Sequence, residues 1–254
     1  MIHSYAFSDV VIVKTENKLA PTVHLIAGAS KGIGRALVEK SGQAGQEIFA
    51  ISRNEPESPS AYGRWIKGDV AHPESFLEQL PPAVNCLTFC PGKVILGPIK
   101  RLTAEQMLET YRTNVLNAFL LIKALLPKLT LTESGSIVFL SSVAASSGLP
   151  SHCAISAAKS ALEGFAIALA ADLAPKVRVN VVAPTLTPTE MGLGMVGGDK
   201  MIPMIENRHP LKKLPSVDEV AATIGFLHSR NAASITGQVL KVDAGLSSLR
   251  LNDR

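Results

Sequence analysis

The 254-residue chain reads as a doubly wound α/β fold: one domain built on a seven-stranded parallel sheet with helices on both faces. Three observations predict it. Apolar, β-rich runs alternate with helical patterns along most of the chain, which implies right-handed β-α-β units. Runs such as Ile137-Val138-Phe139-Leu140 and Val179-Asn180-Val181-Val182 are almost continuously apolar, as strands covered on both faces must be. A glycine-rich turn, Gly28-Ala29-Ser30-Lys31-Gly32-Ile33-Gly34, joins the first strand pattern to the first helical one.

Taken in order, strands are expected over 23–27, 47–52, 64–67, 86–90, 136–141, 178–183 and 238–243. Helices are expected over 33–43, 73–80, 104–127, 155–173 and 217–228. There is no internal repeat. Residues 1–21 stand outside this rhythm as an N-terminal extension; Val10-Val11-Ile12-Val13 within it could add a strand or lie over the body. The domain itself is expected to span 22–254. Within it, 185–215 is rich in Pro, Gly and Met, and Gly192, Gly194, Gly197 and Gly198 are expected to break any helix. A segment of that length inside a compact domain is expected to be a functional lid. After the sixth strand it would overhang the carboxyl ends of the strands, where such sheets bind ligands.

Composition excludes some partners. The net charge is +4, but the basic residues are scattered and aromatics make up only 5%, so no nucleic-acid surface is expected. The first twenty residues show no secretory pattern, and no apolar run reaches membrane-spanning length. A soluble, cytoplasmic protein with no membrane partner is the expectation. Cys86 and Cys90 alternate with apolar residues, as buried thiols would, so no metal site is expected.

The glycine turn carries the chemistry. Glycines at 28, 32 and 34 let the backbone turn tightly and approach a pyrophosphate, and the helix that follows offers unpaired N–H groups and the positive end of its dipole. Ser30 and Ile33 complete this cradle. The turn fits the T-G-x3-G-x-G pattern, with Ala27 where threonine is usual. Further along come Gly68-Asp69-Val70, Asn114 in a helical run, Ser141-Ser142 closing strand five, Lys159 in Ala-Ala-Lys-Ser-Ala-Leu, and Asn180-Val181-Val182-Ala183-Pro184 followed by Thr189.

In their order and spacing, from about residue 22 to 247, these motifs resemble the short-chain dehydrogenase/reductase family. The resemblance implies a Rossmann-type fold, a nicotinamide cofactor, a small-molecule substrate and a homo-oligomer, dimer or tetramer, with helices 104–127 and 155–173 as candidate faces. By the same resemblance Asp69 and Val70 contact the adenine, and Gly92 lets the backbone pass the cofactor. Pro184 and Thr189 hold the nicotinamide carboxamide. Lys159 binds the nicotinamide ribose, and Asn114, Ser142 and Lys159 belong to the catalytic group. Ser142 could equally be a turn cap in its serine-rich stretch, and Asn114 could serve the backbone alone.

One position departs. The family's catalytic tyrosine stands four residues before the lysine and thirteen after the serine, and both counts land on Ile155. That tyrosine exchanges a proton with the substrate oxygen while the lysine favours its phenolate. Isoleucine has no proton to exchange. His152, seven residues before Lys159, occupies the spacing at which the superfamily's enoyl reductases carry their tyrosine, and an imidazole can donate or accept near neutral pH. Alternatively it is a solvated loop residue. The family's Asn-Asn-Ala-Gly after strand four is here Phe89-Cys90-Pro91-Gly92, and Pro-Gly after strand six is Pro184-Thr185.

Strand two ends in Ser52-Arg53 rather than in the carboxylate that accepts from the adenosine 2′-hydroxyl of NAD. Arg53 and Lys31 are suited instead to a 2′-phosphate, which selects NADP(H), unless both are plain surface charges. The expected function is an NADP(H)-dependent oxidoreductase with altered proton transfer, acting on a partly apolar substrate. The alternative is a non-catalytic NADP(H)-binding sensor or partner subunit.

Overall fold

A computed structural model describes residues 22–56, 58–197 and 199–251. The extension at 1–21, with its Val10–Val13 run, lies outside the described residues. The seven strands are β1 (Val23–Ala27), β2 (Glu47–Ser52), β3 (Gly63–Lys67), β4 (Cys86–Phe89), β5 (Gly135–Leu140), β6 (Val177–Pro184) and β7 (Val239–Val242). All pair in parallel in the order β3-β2-β1-β4-β5-β6-β7. The order reverses between β1 and β4, and that switch point opens a crevice at the carboxyl ends of the strands.

Side chains alternate between two cores, which is why the strands are apolar at successive positions. Leu25, Phe49, Leu87, Phe89, Ile137 and Phe139 face one core. There they meet α3 (Asn117–Leu129) and α4 (Cys153–Leu173) through residues such as Leu121, Leu125 and Leu162. Ile26, Ile48, Val138 and Val182 face the other. Its helices are α1 (Gly32–Gln43) and α7 (Val217–His228), which contribute Leu37, Val38, Val220 and Ile224. Each such burial stabilises the fold by about 1.5–3 kcal/mol.

Four expectations are corrected. Residues 73–80 form two short 3₁₀ turns, Pro73–Ser75 and Leu77–Gln79, rather than a helix. The expected helix 104–127 is α2 (Ala104–Tyr111), a π-helical turn at Arg112–Leu116 and then α3. The glycines at 192 and 194 do not prevent a helix, since α5 (Glu190–Met195) contains both, and α6 (Ile202–Glu206) follows in the same segment. Finally, α4 is at 21 residues long and apolar enough to span a bilayer by length and composition. Its Ala158, Leu162, Ala166 and Ala170 nevertheless pack into the sheet core, and Lys159 is buried with them, as in the core helix of a folded domain.

At the opposite, amino-terminal ends of the strands runs a buried polar chain the sequence did not reveal. His24 Nδ1 lies 3.3 Å from Gln46 Oε1, His24 Nε2 2.8 Å from Thr88 Oγ1, Thr88 Oγ1 2.8 Å from His228 Nε2, and His228 Nδ1 3.0 Å from Ser136 Oγ. The hydrogen bonds close in one direction. His24 donates to the amide oxygen and accepts from Thr88, whose oxygen accepts from His228; the Ser136 hydroxyl closes the chain between His228 Nδ1 and the Leu227 carbonyl, to which it can donate at 3.4 Å. Each imidazole is thereby held in one neutral tautomer. Burial pushes His24 down to about 4 and His228 well below the ordinary histidine value.

Candidate active site

The glycine turn is built by necessity. Gly28 and Gly32 have φ of 75° and 55°, the left-handed region that side chains disfavour. A Cβ on Gly34 would come within 2.3 Å of the Gly28 carbonyl oxygen, so the first turn of α1 can lie on the loop only with glycine there. No side chain caps α1 and no acid stands in its first turn, so the helix start has neither a side-chain cap nor a competing carboxylate.

The crevice is an open cleft of about 220 Å³. Gly28 and Ser30 line one side, Ser52, Arg53 and Asn54 one end, Gly68, Asp69 and Val70 the wall after β3, and Pro91 and Gly92 the wall after β4. Asp69 holds its own turn, with Oδ1 accepting from the Ala71 N–H at 3.0 Å. Ile33 is buried beneath the turn in the sheet core. Thus Gly28, Ser30, Arg53, Asp69, Val70 and Gly92 come together around one cleft. Lys31 does not line it. Its Nζ lies 2.7 Å from Glu190 Oε2, tying the turn to the first residue of α5.

Deeper in, Asn114 sits in the π-helical turn between α2 and α3, a local irregularity that recurs at functional sites. Its Nδ2 donates to the carbonyls of Lys93 and Thr110, each at 2.9 Å, which fixes the amide. Its Oδ1 is buried and has no hydrogen-bond partner. A Cβ built on Gly92 would stand 3.0 Å from that oxygen and 3.7 Å from Lys159 Nζ, so both groups converge on Gly92. Lys159 is 6% exposed and donates to the Leu140 carbonyl at 2.7 Å. Burial lowers its ammonium to about 8, against the opposing pull of Cys90 and Glu163. Burial also pushes the Cys90 thiol up to about 12, which keeps it neutral.

One helical turn before Lys159, Ile155 is buried at 3% exposure. Ser142 stands after the end of β5 and caps the short turn Val143–Ala145, accepting from the Ala144 N–H at 3.2 Å. The turn-cap role is thus present, and the hydroxyl proton stays available to a ligand. Its neighbour Ser141 donates to Glu163 Oε1 at 2.6 Å. His152 occupies the N-cap position of α4, and its Nδ1 donates to the Pro150 carbonyl at 2.6 Å. A carbonyl can only accept, so the neutral ring carries its proton on Nδ1 and leaves Nε2 as a base.

Pro184 ends β6, paired with Val242. Thr189 caps α5, accepting from the Gly192 N–H at 3.0 Å, and its methyl lies against Gly32, where a Cβ would come within 3.1 Å. At the other end of this segment is a contact that sequence reasoning missed. Buried His209 donates from Nδ1 to the Ile205 carbonyl at 2.9 Å and its Nε2 accepts from the Thr185 hydroxyl at 3.1 Å. The one available signal was Thr185 itself, a hydroxyl where the family pattern has glycine.

Comparison with known proteins agrees with this geometry. A family model described as enoyl-(acyl carrier protein) reductase matches residues 28–247. The L-xylulose reductase of Caenorhabditis elegans is 32% identical over 239 residues, covering 88% of this chain and 95% of that protein. The 3-oxoacyl-[acyl-carrier-protein] reductase FabG of Escherichia coli K12 is 31% identical over 244 residues, covering 91% and 98%. The ligand-free aldohexose dehydrogenase of Thermoplasma acidophilum superposes with a TM-score of 0.85 at 28% identity, covering 92% of this chain and 97% of that one. With the glycine turn, the strand order and the convergence of Asn114 and Lys159 all in place, the chain belongs to the short-chain dehydrogenase/reductase family.

Proposed function

We propose that this protein is an NADP(H)-dependent oxidoreductase whose proton-transfer group has left the position the family uses, acting on a partly apolar small molecule. One observation carries the reading. A cleft lined by Gly28, Ser30, Arg53, Asp69 and Val70 reaches Gly92, on which a buried lysine and an asparagine oxygen without a hydrogen-bond partner converge, and one helical turn from that lysine stands an isoleucine that can exchange no proton. The residues fit a nicotinamide dinucleotide: α1 has no side-chain cap, Gly34 permits close approach, and Asn114 Oδ1 awaits a donor. When bound, that cofactor supplies or accepts a hydride at a substrate carbon.

The chain's own residues have separable tasks. The amides from Gly28 to Gly34 receive the pyrophosphate, Asp69 and Val70 flank the adenine, and Pro184 and Thr189 hold the carboxamide. Lys159, whose ammonium at about 8 remains mostly charged at neutral pH, grips the ribose. Ser142 orients a substrate oxygen. His152 handles the proton, as a base at Nε2 when neutral and as an acid when protonated. Reduction of an activated C=C bond, in which the proton arrives from elsewhere, fits this arrangement, as does carbonyl reduction using His152 or water.

The 2′-phosphate preference rests on Arg53 and Lys31. NADPH is expected to bind at least about tenfold tighter than NADH, equivalent to about 1.4 kcal/mol, and Arg53→Ala to remove most of the difference. Fluorescence titration checks this, and equal affinities contradict it. The segment 185–215 acts as a lid. Hydrogen exchange across Met191–Val196 is expected to slow when NADPH binds, and identical protection with and without it contradicts a lid. We place the enzyme in the cytoplasm as a homo-oligomer. Leu108, Phe119 and Ile167, exposed on α2, α3 and α4, offer an apolar face for it.

A second reading has its own observation. Ile155 is packed as a core residue and Lys159 is already bonded to Leu140, an arrangement that suits a subunit which keeps the cofactor without turning it over. Assay of NADPH oxidation against a panel of ketones and activated alkenes separates the two: an enzyme consumes the cofactor only when substrate is present, and a sensor binds it and never consumes it.

A further inference from the structure

The lid and the glycine turn meet at two adjacent pairs of residues. Thr189 packs its methyl on Gly32, and Glu190, the next residue, pairs with Lys31 at 2.7 Å. The Thr189 hydroxyl also caps α5 through the Gly192 N–H. The backbone of the lid's first turn is therefore held against the turn independently of the charges, and this keeps Glu190 within reach of Lys31. Both partners are largely exposed, at 70% and 74%, so exchanging one anion for another at Lys31 requires little desolvation.

Resting on the NADP(H) reading above, we propose that Glu190 is a specificity-determining residue that competes with the 2′-phosphate of the cofactor for Lys31. A carboxylate and a phosphate are both anions seeking the same ammonium. While Glu190 holds it, Lys31 contributes less than its full charge to recognition of the phosphorylated ribose, and Arg53 carries the larger share. When the phosphate captures Lys31, only the ion pair to Glu190 is given up, and the contact of Thr189 with Gly32 still holds α5 against the turn. The preference of this chain for the phosphorylated cofactor is thereby set below what Lys31 and Arg53 together would give.

Calorimetric titration of the full chain with adenosine 2′,5′-bisphosphate and adenosine 5′-monophosphate tests this without turnover. Glu190→Gln is expected to tighten the bisphosphate about two- to fivefold, the scale of an exposed ion pair, and to leave the monophosphate unchanged. The gain should vanish in a Lys31→Met background, and it should shrink in 1 M salt, where the screening length falls to about 3 Å. No change for the bisphosphate, or an equal change for both probes, overturns the role of Glu190 even if the wild type prefers the bisphosphate. A wild type that binds both probes equally overturns the NADP(H) reading instead. The role of Glu190 then stands if Glu190→Gln gains the preference and falls with that reading if it does not.

Discussion

Ile155→Tyr is expected to create or raise ketone reduction by about two orders of magnitude, the lower end of what a positioned proton donor contributes. Residue 155 precedes Lys159 by one helical turn on the same face of α4. A phenol there would share the neighbourhood of the buried ammonium, which favours the phenolate and brings the hydroxyl toward working pH. Ser142, after the end of β5, keeps its hydroxyl proton free of the Ala144 cap and in the proposed function orients the substrate oxygen. Adding Ser142→Ala to Ile155→Tyr should therefore reverse the gain. Competing with this is steric cost, because Ile155 is buried and a larger ring can clash for about 1–3 kcal/mol. Measuring thermal stability and NADPH affinity alongside activity separates the two effects. A folded, cofactor-binding Ile155→Tyr protein that reduces no ketone counts against a preserved site and favours the non-catalytic reading.

Stability is expected to fall by about 2–3 kcal/mol between pH 7.5 and pH 4.5, through His24 alone. The sign follows from its depressed pKa: in the unfolded chain histidine takes a proton near 6.5, whereas in the folded chain burial lowers His24 to about 4. The stabilisation is complete above about 6.5 and is lost as pH falls toward 4. His228, also lowered by its burial, acts in the same sense. Glu163, raised by its burial, acts in the opposite one. Structurally, an added proton on His24 Nε2 meets the Thr88 hydroxyl, whose oxygen already faces His228 Nε2 at 2.8 Å. Chemical unfolding across this window checks the prediction. His24→Gln should flatten the profile, and a wild-type profile that is already flat contradicts the account.

The five inner strands were legible because the sheet there is covered on both sides, so each declares itself as an apolar run, whereas the edge strands β3 and β7 carry Arg64, Lys67 and Lys241 and are only partly buried. What escaped the sequence has physical reasons. Phe76 and Leu80 are buried at a helix-like spacing, but Pro73 and the Pro81-Pro82 pair bracket too few residues to sustain a helix, and 3₁₀ turns form instead. The π-helical turn at Asn114 has no compositional signature, and the side chain's bonds to Thr110 and Lys93 become visible only once the chain is folded. Gly192 has the composition of a helix breaker, yet a Cβ there would come within 2.1 Å of the Thr187 carbonyl oxygen. Its glycine serves close approach, while Thr189 supplies the cap that starts α5. The histidine chain joins residues far apart in sequence that only the sheet order β1-β4-β5 and the end of α7 bring together. At the site, the cleft was legible from its glycines and from Arg53, whereas the partner of Lys31 was not, because Glu190 belongs to a lid whose path no local pattern specifies.

On the proposed function, the cleft performs hydride chemistry although residue 155 cannot move a proton. The most direct measurement incubates the wild-type protein with NADPH deuterated at both nicotinamide C4 positions and a panel of ketones and activated alkenes, followed by mass spectrometry of the products. One deuterium on the reduced carbon of at least one product is the predicted result; loss of that product on His152→Ala would assign the proton to that ring, and its survival would assign the proton to water. Tight NADPH binding with no deuterium in any product would contradict the proposed function and identify the protein as a binder of the cofactor rather than a user of it.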